Sequence, residues 1–299
     1  MWVFFALSAA LTWATVTLLD KVLLERHIPS GSTFLILTSL VGLLPAAGLF
    51  AFGRQWELVD GASLGIALFA GLLESVFLLL YYKALRVADA PIVAILLQCV
   101  PVITIAISLL LFHETFFFST YLGIGIIIGG TILAILAGSP GRHHVELKAV
   151  WIVLPALLVI SVSYSLQSYA LRTISVDQFF VAARVGQLLL GIALLLRTEI
   201  RRHVFAITGK LSPLILSITV AIGLLDLGGA YLLNNAYAAG PLALVTTVSS
   251  IQPLLILLMI TLANSIRPRT IPDEGSQAFF WRRSVATGLV IVGIFLSSS

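Results

Sequence analysis

Gly71-Leu72-Leu73-Glu74-Ser75 and Gly223-Leu224-Leu225-Asp226-Leu227 are the two stretches whose reading decides the fold. Each sets one carboxylate inside a long apolar run, and the second begins 152 positions after the first. An acid at the centre of a membrane helix costs about 2.5–3.5 kcal/mol on insertion scales, so it persists only in a protein interior or a wet cavity. The chain around them leaves no doubt about the solvent. It is 60% hydrophobic and 10% charged, with a mean hydropathy of +1.11, whereas soluble domains carry about 25% charge. Lipid is the solvent this composition fits. A repeated acid in such a chain predicts two related halves facing one shared interior.

Working outward, apolar runs long enough to span lie near 2–24, 32–52, 62–82, 90–112, 119–138, 149–170, 176–196, 212–234, 240–262 and 281–297. A span needs about 20 residues, and in hydrocarbon a helix satisfies its own backbone. The expected fold is therefore an all-α integral membrane protein of ten transmembrane helices. The 152-residue shift also sets Ala84 on Ala236 and Pro101 on Pro253, while Gly125–Gly130 matches Gly288–Gly293 after a shift of 163. Two five-helix repeats, 1–140 and 148–299, follow. Five helices per half forces opposite orientations. The charges agree. Fourteen basic residues, among them Lys21, Arg26, Lys83, Arg86, Arg197, Arg201 and Arg202, fall in gaps after odd-numbered runs, and Arg54 and Arg172 alone fall after even-numbered ones. The positive-inside rule then sets both termini outside.

The pI of about 9.4 does not indicate nucleic acid, because the basic residues are confined to short gaps between apolar runs. The single Cys99 allows no intramolecular disulfide, and the Met1–Phe5 start predicts no cleavable signal peptide. His143-His144 is a solvated pair in the central gap and predicts no metal site. Glycines 123, 125, 129, 130, 288 and 293 lie within spans, so they predict close helix packing and no phosphate loop. No cofactor or nucleotide is expected.

Deep polar groups nominate the site. Glu74 and Asp226 sit mid-run, and burial in low dielectric disfavours the charged form of an acid. Either is a bridging structural acid or a group that exchanges a proton or binds substrate. Arg184 lies about eight residues into its run, at a depth that Asp226 shares, which predicts an Arg184–Asp226 pair or an Arg184 site for a substrate carboxylate. Gln187 lies one turn on, on the same face. With no deep basic residue in its own half, Glu74 is assigned proton exchange, and Asp226 a structural or substrate-orienting role. Pro101 and Pro253 free backbone carbonyls mid-run, either as gating kinks or as prolines that membrane helices tolerate. Gln98 and Gln252 line the same interior. Trp13, Tyr164, Tyr82 and Tyr231 could cage an amine, against a reading as interfacial aromatics. Asn234 and Asn235 read as the polar end of the eighth run.

The chain resembles EamA-type members of the drug/metabolite transporter superfamily over nearly its whole length. The resemblance rests on ALTWATVTLLDKVLLE, on YYKALRVADAPIVAILLQCVPVITIAISLLLFHETF, on YLGIGIIIGGTILA and on NNAYAAGPLALVTTVSSIQPLLILLMITL. It implies ten helices in two inverted halves, export of small metabolites such as amino acids, and termini in the cytoplasm of the inner (plasma) membrane, against the charge bias. The chain departs from the pattern where the second half has Ser265-Ile266 in place of His113-Glu114. The expected function is secondary active transport of an amino acid, zwitterion or amine by alternating access, with protons as a candidate coupling ion. The expected partners are the lipid bilayer and a small-molecule substrate, with a monomer or homodimer both open. Alternatives are a lipid flippase, a non-transporting scaffold, or an intramembrane enzyme on isoprenoid or lipid substrates. For the last, His113, Glu114 and Tyr121 are the near candidates.

Overall fold

The computed structural model describes residues 1–26, 30–52, 61–85, 93, 96–97, 99–137, 147–209, 211–252, 254–256, 258–259, 262, 285, 288–294 and 296. Among these every regular element is helical: α1 (Trp2–Arg26), α2 (Gly31–Phe52), α3 (Gly61–Leu85), α4 (Cys99–Leu111), α5 (Phe118–Ala137), α6 (Leu147–Ala170), α7 (Val176–Leu195), α8 (Thr198–Thr208), α9 (Pro213–Ala239) and α10 (Leu242–Ser249). Six of them, α1, α2, α3, α6, α7 and α9, are long and apolar enough to cross a membrane. Their exposed large side chains are apolar, among them Leu44, Phe69, Trp151, Leu158 and Ile192. That is the surface a bilayer requires, and the protein is a multi-pass membrane protein. Gln98, Pro253 and His143-His144 lie outside the described residues.

Three boundaries differ from the sequence reading. The gap after the seventh run contains α8, eleven residues of helix. Helix α9 runs on to Ala239 rather than ending near 234, and Asn234 is buried within it at 2% exposure. The ninth run breaks at Ser250-Ile251, where both amides fold back on the last turn of α10, and helix resumes at Gln252.

Local chemistry fixes the helix starts nearest the site. Ser175 caps α7: its hydroxyl accepts the Gln178 amide, and the Gln178 side chain accepts the Ser175 N–H, closing a capping box. Ser212 caps α9 with Pro213 in the first turn. Packing relies on small residues, as expected where lipid supplies no hydrophobic drive between helices. Ala6, Ala9, Ala67, Ala70, Ala183 and Ala236 belong to the largest buried cluster. The Ser163 hydroxyl donates to the Ala70 carbonyl across α6 and α3 at 2.9 Å.

Two glycine crossings position the rest. A Cβ on Gly71 would fall on the Ala183 carbonyl, and one on Gly186 would fall on the Leu68 carbonyl, so α3 and α7 meet backbone to backbone. Gly223 on α9 meets Val41 of α2, and Gly42 answers with Leu227. The glycine of each opening stretch is thus a crossing point, and the acid one turn later is carried into the interior. Farther out, Gly293 lies against Gly123 and Ile127, whereas among the described residues Gly125, Gly129 and Gly288 meet no neighbour within 4 Å of an added Cβ.

Candidate functional site

At the α3–α7 crossing, Glu74 meets Arg184. The Glu74 Oε2 to Arg184 Nη2 distance is 3.5 Å, with side-chain exposures of 17% and 4%. Arg184 Nη1 donates to Gln187 Oε1 at 2.6 Å, one turn along α7. The guanidinium carbon stands 5.1 Å from the Phe180 ring centre, and Nε is buried without a partner. The expected partner of Arg184 was Asp226; the ion pair is with Glu74 instead. Equal depth does not decide this, because the glycine crossing turns α7 toward α3. Nor is Glu74 without a base: the base comes from the other half of the chain.

Asp226 accepts the Trp13 indole N–H at 2.9 Å, while remaining within electrostatic range of both Arg184 and Glu74. Trp13 reaches it because Gly229, three residues on, leaves room for the indole. One face of α1 continues this contact. Thr17, four residues from Trp13, accepts from Gln252 at 3.0 Å. Asp20, three residues further, lies within range of Asp226, Tyr81 and Tyr82, with its Oδ1 buried and unpartnered. The spacing of 13, 17 and 20 is one stripe of a helix. Asp20 was not singled out in the sequence reading, although that stripe marks it.

The aromatic residues divide. Tyr164 sits within range of Glu74 and Asp226, and its ring is 5.8 Å from that of Tyr237, whose hydroxyl is buried without a partner. Tyr82 joins Tyr81 at 5.7 Å and Phe34 at 6.0 Å on the Asp20 side. Tyr231 is committed elsewhere: its hydroxyl donates to Asp177 Oδ1 at 2.6 Å, and its ring packs on Phe180. It braces the floor beneath Arg184 and does not complete a cage. Asn235 is a local tie, its amide donating to the Tyr231 carbonyl. Pro101 is buried in α4 and its carbonyl accepts from Thr104, which also bonds Thr246 of α10.

The three residues considered for an enzyme do not converge. Glu114 pairs with Arg172 at 3.1 Å, His113 is exposed at a φ of 53°, and Tyr121 packs on Phe116. Among the described residues no group of three His, Cys, Asp or Glu is placed to hold a metal ion. A separate cleft of about 240 Å³ between Phe50, Leu64, Leu68, Val181 and Val185 is apolar and contains none of the charged groups.

Among the described residues the interior holds three acids and one arginine, contributed by α1, α3, α7 and α9. Such residues within spans commonly mark substrate or ion pathways, and the fold around them is that of a helical multi-pass membrane protein. Residues 1–136 match the model of the EamA-like transporter family. One solved crystal structure superposes with a TM-score of 0.74 at 16% identity, covering 99% of this chain and 97% of that one. At that identity the likeness shows the fold alone. No curated protein matches the chain in sequence.

Proposed function

We propose that this protein is a secondary active transporter that moves a small amine-bearing or zwitterionic metabolite by alternating access, with protons as the coupling ion. The observation that carries this reading is the 3.5 Å Glu74–Arg184 pair with Asp226 close by, held where every charge is costly. The reading includes a duplicated, inverted architecture. The halves 1–140 and 148–299 each supply one glycine crossing and one acid, and ten spans in two inverted five-helix repeats account for both.

The chemistry follows from charge balance. Glu74 and Asp226 lie near Arg184, and Asp20 lies near Asp226, so among the described residues the interior has acids in excess of cations. A substrate ammonium group is complementary to Asp226 and Asp20. A substrate carboxylate is complementary to Arg184, whose planar fork grips carboxylates in bidentate fashion. In taking Arg184 it displaces Glu74, which then accepts the coupling proton rather than remain a bare carboxylate in low dielectric. Glu74 keeps the proton-exchanging role for this reason, and not for lack of a basic neighbour.

The test is counterflow in proteoliposomes against a panel of labelled amino acids and polyamines, with and without an imposed pH gradient. At least one amine-bearing compound should exchange, and Glu74→Gln should exchange it without responding to the gradient. Lipid scrambling with no exchange of any amine would replace this reading with a flippase.

A further inference from the structure

Helix α8 has two faces. Ile200, Val204 and Ile207 recur at helical spacing on one side; Val204 is 6% exposed, and Ile207 packs on the cluster of Val16, Leu23, Phe34 and Ile222. Around the rest of the helix Arg197, Glu199, Arg201, Arg202 and His203 are exposed, three arginines to one acid, with Phe205 69% exposed among them and Leu196 76% exposed at the turn. The ion pairs among the described residues are Arg172–Glu114 and Arg184–Glu74, and neither involves an arginine of this helix.

The depth of this helix is set by its neighbours. Helix α7 has 20 residues, and at 1.5 Å per residue it covers about 30 Å, the thickness of the hydrocarbon layer. Its last turn therefore ends where headgroups begin, and α8 starts three residues later. The return helix α9 re-enters at Pro213. Helix α8 is held at headgroup level by a span on each side.

We propose that α8 is a binding site for anionic phospholipid headgroups, with Arg197, Arg201 and Arg202 on the phosphates and Phe205 and Leu196 in the acyl boundary. With Glu199 the sole acid of the helix, the three guanidinium groups leave an excess of positive charge, which an anionic surface neutralises and a zwitterionic one does not, and a helix with basic and apolar residues lying along the membrane plane suits such a surface. Solvation of the arginines by water alone would leave Phe205 exposed to no purpose.

The full-length protein in vesicles, probed with headgroup-matched spin-labelled lipids, measures this. Phosphatidylglycerol should be preferred over phosphatidylcholine at low salt, by about fivefold for each arginine engaged, and the preference should shrink as salt rises. The triple substitution Arg197→Gln, Arg201→Gln, Arg202→Gln should bring the ratio to near one. The matching lysine triple should retain most of it, which separates loss of charge from loss of fold. Glycerol phosphate in solution should not compete, since the acyl boundary is part of the site. A wild-type ratio of one, an unchanged ratio in the glutamine triple, or full competition by glycerol phosphate would overturn the proposal.

Discussion

Removing either member of the Glu74–Arg184 pair should destabilise the protein, but unequally. At 3.5 Å, two unit charges attract by about 5 kcal/mol at an effective dielectric of 20. Desolvation of both groups offsets much of that, so the net worth of the pair is smaller than the damage from breaking it. Glu74→Leu leaves a guanidinium that is 4% exposed and cannot be deprotonated; such stranding costs about 3–5 kcal/mol. Gln187 still accepts from Nη1, which places the expected loss at the lower end. Arg184→Met leaves a carboxyl that is 17% accessible and can be neutralised by a proton, so the expected cost is nearer 1–3 kcal/mol, roughly that of an unsatisfied polar group. The double variant exchanges an ion pair for apolar volume and should lose less than the sum by at least about 1 kcal/mol. The measurement is reversible unfolding in mixed micelles as a denaturing detergent is titrated. Additivity within about 0.5 kcal/mol, or Arg184→Met costing more than Glu74→Leu, would refute the reasoning.

Other outcomes follow from the same interior. Gly71→Ala and Gly186→Ala each drive a methyl into an opposing carbonyl, so each should cost about 1–3 kcal/mol as overpacking and weaken the Glu74–Arg184 coupling in the cycle above. Asp20→Asn keeps size while removing the charge; it should weaken amine binding about 30-fold or more and leave the unfolding midpoint in place, as isothermal binding and detergent titration together would show. Trp13→Phe deprives Asp226 of its 2.9 Å donor and should impair exchange more than stability, read by counterflow. A reporter fused after Ser299 should give external phosphatase activity; cytoplasmic fluorescence without it would reverse the orientation assigned from the basic gaps.

The spans were legible because hydrocarbon tolerates little but an unbroken apolar run, and α1, α2, α3 and α7 sit within a few residues of their expected bounds. Helix α8 escaped notice because it is short and half polar, and so resembles a gap. The end of α9 was misjudged for a related reason: Asn234-Asn235 looks like a polar terminus, yet one of the two is buried between helices. At the site, the paired acids announced themselves by cost. Their partners did not, since residue counting along two helices gives depth and says nothing of rotation. Rotation is set by Gly71 and Gly186, whose role appears only when the opposing backbone is in place. Asp20 stands beside Lys21 near the end of α1, where a charge costs little, and only its spacing from Trp13 and Thr17 aligns it with the interior.

The α3–α7 contact also has a mechanical meaning. Where two backbones touch without intervening side chains, the helices behave as levers resting on one fulcrum. Gly71 lies ten residues from one end of α3 and fourteen from the other, arms of about 15 and 21 Å at 1.5 Å per residue. A tilt of about 10° about that point sweeps the ends through about 3 and 4 Å on those arms, while Glu74, one turn from the pivot, travels less than about 1 Å. The ion pair lies close to the still point of any such tilt, so the helix ends can shift while the charge arrangement keeps its geometry.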